Sequence, residues 1–170
     1  MRKGKRTAFY GLFLALALVA GYVEQLLPVS LGIPGVKLGL ANVVTMVLLY
    51  TVGVRAAVGI TAARILLAGM LFGTGFSIVY SAAGAVCSML VMLLLKRTGR
   101  FSSVSVSVAG GVFHNVGHIL VAALVLETGA LVYYLPILIL SGLAAGIVIG
   151  IISGILTRRL GPVIRQTLES

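Results

Sequence analysis

The sequence predicts an all-α integral membrane domain of six transmembrane helices, and three observations carry that expectation. Of 170 residues, 60% are hydrophobic and only 9% are charged, against about 25% charged in soluble domains. The apolar runs are continuous and helix-sized rather than alternating at strand period, which argues against a closed barrel. The 13 Lys and Arg residues give a net charge of +10, yet they gather at the ends of the apolar runs instead of along one face. They therefore report topology and not nucleic-acid binding.

Each helix can be justified in turn. Four basic residues between Met1 and Arg6 precede the run Ala8 to Val23, a combination that resembles a signal peptide. Because several further spans follow, it reads as a retained first helix, residues 7–27. Gly32, Pro34 and Gly35 then deny a regular helix before the apolar pattern resumes over 36–51. A short turn leads to a third helix at 55–72, and Gly73-Thr74-Gly75 to a fourth at 76–95 that stops at the basic stretch Lys96 to Arg100. Ser103 to Val108 alternates at strand period, but it is too short to span as a strand and continues unbroken into Leu126. A fifth helix at 104–126 is the consequence. Glu127-Thr128-Gly129 turns the chain into a sixth, 131–157, followed by a polar tail with Arg158, Arg159 and Arg165. The whole chain, 1–170, forms one domain in this reading.

Six spans place both termini on one side. Lys5, Arg6, Arg55, Lys96, Arg97, Arg100, Arg158, Arg159 and Arg165 then share that side with Arg2 and Lys3, which makes it cytoplasmic in the cell membrane by the positive-inside rule. The other side carries Glu24, Lys37, Glu127 and the interfacial pair Tyr133-Tyr134.

Few residues in such a chain can carry chemistry. Arg64 falls near the middle of the third helix, where an uncompensated charge costs about 3 kcal/mol on insertion scales, so it should face the protein interior. It reads either as an anion-binding group or as a structural ion-pair partner, with Glu24 the nearest acid by position. His114 and His118 lie four residues apart on one helical face, with Asn115 beside them. Half a metal site, hydrogen bonding to a polar substrate, and polar contacts between helices are the alternatives for this group; no metal is expected, because a third ligand is not evident. By depth, Glu24, Lys37, Asn42, Arg64, His114, Asn115 and His118 make an outward-facing polar cluster. Tyr80 and Ser81 border it and read as ordinary packing.

Gly142, Gly146, Gly150 and Gly154 recur every fourth residue, a smooth ridge that permits close helix contact, within the fold or with another subunit. Gly11 with Ala15, and Ala17 with Gly21, form shorter small-residue pairs on the first helix, which could dock on a membrane partner.

Absences narrow the classes. There is one cysteine, Cys87, so neither an intrachain disulfide nor a cysteine metal site can form. No P-loop sequence is present, and with no Asp at all there is no acidic pair for Mg²⁺. The chain is therefore not expected to be an enzyme or to hold a cofactor.

The stretches P-G-V-K-L-G-L-A-N (Pro34 to Asn42), R-I-L-L-A-G-M-L-F-G (Arg64 to Gly73) and H-N-V-G-H (His114 to His118) resemble the Gx transporter family, also labelled heptaprenyl diphosphate synthase component I. More loosely, the chain is similar to the S-components of energy-coupling factor (ECF) importers. That resemblance implies a lid formed by Leu31, Gly32, Pro34 and Gly35 up to Lys37, with Asn42 at the head of the second helix. It also implies a docking face including Gly11 and Ala15 for ECF transmembrane and ATPase subunits. The aspartate-rich motifs of polyprenyl synthases are absent, so the label reads as association with a soluble polyprenyl synthase subunit rather than catalysis. The expected function is a substrate-binding importer subunit for a small polar or anionic compound, isoprenoid- or quinone-related ones included. The alternative is a non-catalytic membrane subunit of a heptaprenyl diphosphate synthase.

Overall fold

The protein is described by a computed structural model that covers residues 3–26 and 39–169. The described residues form six α-helices, α1 Lys3–Leu26, α2 Leu40–Thr51, α3 Val54–Phe72, α4 Gly75–Thr98, α5 Ser103–Val125 and α6 Leu135–Glu169, with a 3-10 segment, Gly129–Tyr134, ahead of α6. No strand occurs among them, so the Ser-Val alternation at the start of α5 is helical.

Five of the helices are long and apolar enough to cross a membrane, and α2, with 12 residues, is shorter. At 1.5 Å per residue α2 spans about 18 Å, well short of a hydrocarbon core of about 30 Å. Its place in the bundle fits this length. Met46, Val47, Leu48 and Leu49 are almost fully buried, as expected of a helix apolar around its whole circumference, because α1, α3 and α6 all pack against it. A buried hydrogen bond of 2.9 Å between the Thr45 and Thr61 hydroxyls ties α2 to α3.

Contacts between helix ends show how the chain alternates. At one end, the Lys96 ammonium donates to the Leu49 carbonyl and stands 4.8 Å from the Tyr50 ring centroid, so α4 supplies a cation to the carbonyl end of α2. Thr51 lies beneath Gly161 of α6 at the same end. At the other end, Tyr22 of α1 meets Phe72 of α3 with ring centroids 5.4 Å apart, and Thr74 and Ser77 form a reciprocal capping box that starts α4.

Several boundaries differ from the sequence expectation. The second helix begins at Leu40 and not Val36: Gly39 has φ +73, a left-handed conformation that cannot sit inside a right-handed helix. The fourth helix continues past Leu95 to Thr98 because Lys96 and Arg97 in its last turn complement the helix terminus, and Gly99 (φ +67) closes it. The sixth helix runs twelve residues beyond Thr157, through Pro162, to Glu169. The expected polar tail is thus an amphipathic helical extension of about three turns, held by Gly161 and Ile164, both buried, and by Leu168 against the core.

α5 packs extensively on both α4 and α6. The glycine ridge explains the α6 side. A Cβ on Gly142, Gly146 or Gly150 would come within 2.7, 2.6 and 2.7 Å of α5 backbone atoms, and one on Gly154 within 3.2 Å of Ser103 Oγ. The ridge therefore works within the fold. Gly11 and Ala15 do not: both are exposed, and a Cβ on Gly11 would meet nothing within 4 Å.

Candidate functional site

All six helices contribute to one cavity of about 240 Å³. Its polar wall is made by Glu24 of α1, Asn42 of α2, Arg64 of α3, Ser77 and Ser81 of α4, and His114, Asn115 and His118 of α5. Six of the seven residues expected to bind substrate thus line a single space. The seventh, Lys37, and the expected lid residues Leu31, Gly32, Pro34 and Gly35 lie outside the described residues.

Arg64 occupies the centre of this arrangement. Its guanidinium reaches α1, where Nη1 would stand 4.0 Å from a Cβ at Gly21, so the missing side chain at Gly21 leaves the space it fills. Nε is buried without a hydrogen-bond partner. Glu24 attracts the guanidinium electrostatically, but of the two readings for Arg64 the ion pair with Glu24 is not the one formed; the carboxylate bonds to backbone instead. Its two oxygens accept from the backbone amides of Gly39 and, at 3.1 Å, Leu40.

Glu24 therefore caps α2 from a neighbouring helix. Gly39 offers no side-chain cap, and the first amides of a helix need acceptors and favour negative charge. Glu24→Ala is expected to lower the unfolding free energy by about 1.5–3 kcal/mol, the usual worth of a hydrogen bond to a charged group, with Glu24→Gln losing less. Thermal unfolding in lipid nanodiscs measures this. If Glu24 served only the cavity, the stability of the empty protein would not change.

His118 is 8% exposed and stacks on Tyr80, with ring centroids 3.9 Å apart and planes 18° apart, while His114 meets it edge-on at 4.3 Å. Gly84 of α4 makes room for this stack, since a Cβ there would lie 2.5 Å from His118 Cδ2. Among the described residues no third His, Cys, Asp or Glu joins the pair as a metal-binding group.

Asn115 divides its roles. Its amide nitrogen donates to the Leu138 carbonyl at 2.6 Å and meets Ser141 Oγ at 3.3 Å, which fastens α5 to α6 while the residue still lines the cavity. Sequence reasoning did not single out Ser77, Ser141 or Gly84; it read Ser81 as packing, and Gly21 as part of a docking pair rather than as the space beside Arg64. Only the Thr74-x-x-Ser77 spacing was a usable signal, as a helix start; the others acquire meaning from the helix opposite.

No curated protein and no solved structure matches the chain. Residues 13–156 match the family described as heptaprenyl diphosphate synthase component I, and the chain, a multi-pass helical bundle by its long apolar helices, belongs to that family.

Proposed function

We propose that the protein is a non-catalytic, substrate-binding membrane subunit of an importer that takes up a compact anionic or polar group through this cavity. The observation that carries the reading is Arg64: a guanidinium turned into an internal cavity, its Nε buried and unbonded, with no ion-pair partner among the described residues. An intramembrane cation of this kind is costly and by default functional. Asn42, His114 and His118 line the same space and bring hydrogen-bonding capacity. A volume of about 240 Å³ is below the roughly 300–1,000 Å³ of sites for drug-sized ligands, which suits a small head group.

The positive-inside rule puts the Lys96, Arg97 and Arg158 end in the cytoplasm, with both termini, and the Glu24 and Asn42 end outside. The site would then face outward, with energy supplied by ECF-type partner subunits. Mass spectrometry of small molecules released from the purified protein tests the reading, alongside cellular uptake of what is found. Wild type is expected to carry an anion that Arg64→Ala loses. A ligand-free wild type with uptake unaffected by the substitution sinks it.

The family description favours a second reading, a membrane subunit that associates with a soluble prenyl synthase. Co-purification with such a synthase, and a shift in its product chain lengths when this chain is added, would support it over import.

A further inference from the structure

We propose that the ligand is an amphiphile, its anionic head at Arg64 and its apolar chain lying in the crevice between α3 and α4, open to the bilayer. This deepens the preceding proposal and rests on its assignment of Arg64 to an anion.

A second space of about 420 Å³ lies between these two helices. α3 and α4 are pinched together at the Glu24 end, where a Cβ on Gly69 would fall 2.1 Å from Ile78 Cγ1 and one on Gly73 2.2 Å from Ser77 Oγ. Beyond the pinch they separate, and α3 touches α4 far less than α5 does. The crevice is bounded by Ile78, Ala82 and Ala85 on one side and by Val58, Ala62 and Leu66 on the other.

Its chemistry is uniformly apolar. The one hydroxyl it contains, on Thr61, is already bonded to Thr45, so nothing there would hold a polar ligand. Val58, Leu66, Val86 and Leu90 are exposed at its rim, which makes it a lateral opening towards lipid.

Continuity with the polar cavity selects the occupant. Ile65, 7% exposed, lines both spaces. Its chain neighbours divide between them: Arg64 borders the cavity and Leu66 the crevice, as on α4 Ser81 borders the cavity and Ala82 the crevice. Ile65 is the wall the cationic cavity and the apolar slot share, and a molecule with a charged head and a hydrocarbon chain is the chemistry that matches both sides of it.

The test uses farnesyl diphosphate as the chain-bearing probe and inorganic diphosphate as the head alone, with the full chain in phosphatidylcholine nanodiscs. Farnesyl diphosphate is expected to bind at least tenfold more tightly. Ala82→Leu and Ala85→Leu, which fill the crevice, should remove that advantage and leave inorganic diphosphate binding within twofold. A diphosphate with a benzophenone at the end of a prenyl chain gives a readout on wild type that does not depend on variants folding: it should label residues 58–66 and 82–93, and free farnesyl diphosphate should compete. Labelling spread over all lipid-facing helices, as for a crevice filled by ordinary bilayer chains, overturns the proposal. So does equal affinity for the two probes. If instead inorganic diphosphate binding is absent, or does not change in Arg64→Met, the assignment of Arg64 to an anion is what fails.

Discussion

Arg64→Met is expected to stabilise the empty protein while weakening anion binding roughly 30-fold or more. Placing Arg mid-span costs about 2.5–3.5 kcal/mol on insertion scales, and here neither an ion-pair partner among the described residues nor a bond at Nε offsets it. The attraction of Glu24 offsets part of it, so the substitution is expected to raise the unfolding temperature by less than the full insertion cost would imply. Met matches the reach of the aliphatic stem and adapts to the space. Binding moves the other way: truncating one partner of a desolvated charge pair costs about 2–5 kcal/mol, a loss of roughly 30-fold to several thousand-fold. Thermal unfolding and isothermal titration with the co-purified ligand, on the same preparation, give both quantities. Loss of stability together with binding would mean that the guanidinium holds the bundle together.

Gly146→Leu is expected to cause the largest loss of stability of any single substitution on the α6 ridge. A Cβ at Gly146 would come within 2.6 Å of Val108 Cα and 2.9 Å of the Ser107 carbonyl. These are backbone atoms, so no side chain can swing away and the helices must part. Overpacking in a tight core costs about 1–3 kcal/mol and occasionally more. Parting α5 from α6 also strains the contacts at Gly111, Gly142 and Gly150 and the Asn115 bond to Leu138, which puts the cost at about 3 kcal/mol or above. Gly11→Leu is the control. With open space around it, stability should stay within about 0.5 kcal/mol. Thermal unfolding of the two variants side by side decides the matter, and equal stabilities would show that the ridge is not under packing constraint.

The helices themselves were legible because burial in lipid leaves a period-independent signal: long apolar runs broken by Gly, Pro and charge. Their ends were less so. Gly39 adopts a left-handed conformation for which Leu38 and Leu40 give no warning, and α6 passes Pro162 because its far turn is anchored by Ile164 and Leu168, contacts that no local pattern encodes. At the site, the charged and hydrogen-bonding residues stood out by rarity. Arg64, His114 and His118 are conspicuous in a chain this apolar, and depth placed Arg64 and His114 near the midplane with His118 further out. Glu24 shows the limit of that reasoning. Scarcity of acids suggested a partner for Arg64, whereas the carboxylate sits on the amides that begin α2.

By itself, then, the sequence determined an all-helical membrane chain and which few polar side chains had to be turned inward, because apolarity and the cost of charge in lipid are properties of each segment taken alone. The tertiary structure decided that α2 is the short buried centre, that the α6 ridge closes on α5, that Gly21 and Gly84 make the space filled by Arg64 and His118, and that α3 parts from α4. Those outcomes depend on what stands opposite each residue, and that is fixed only when the helices pack.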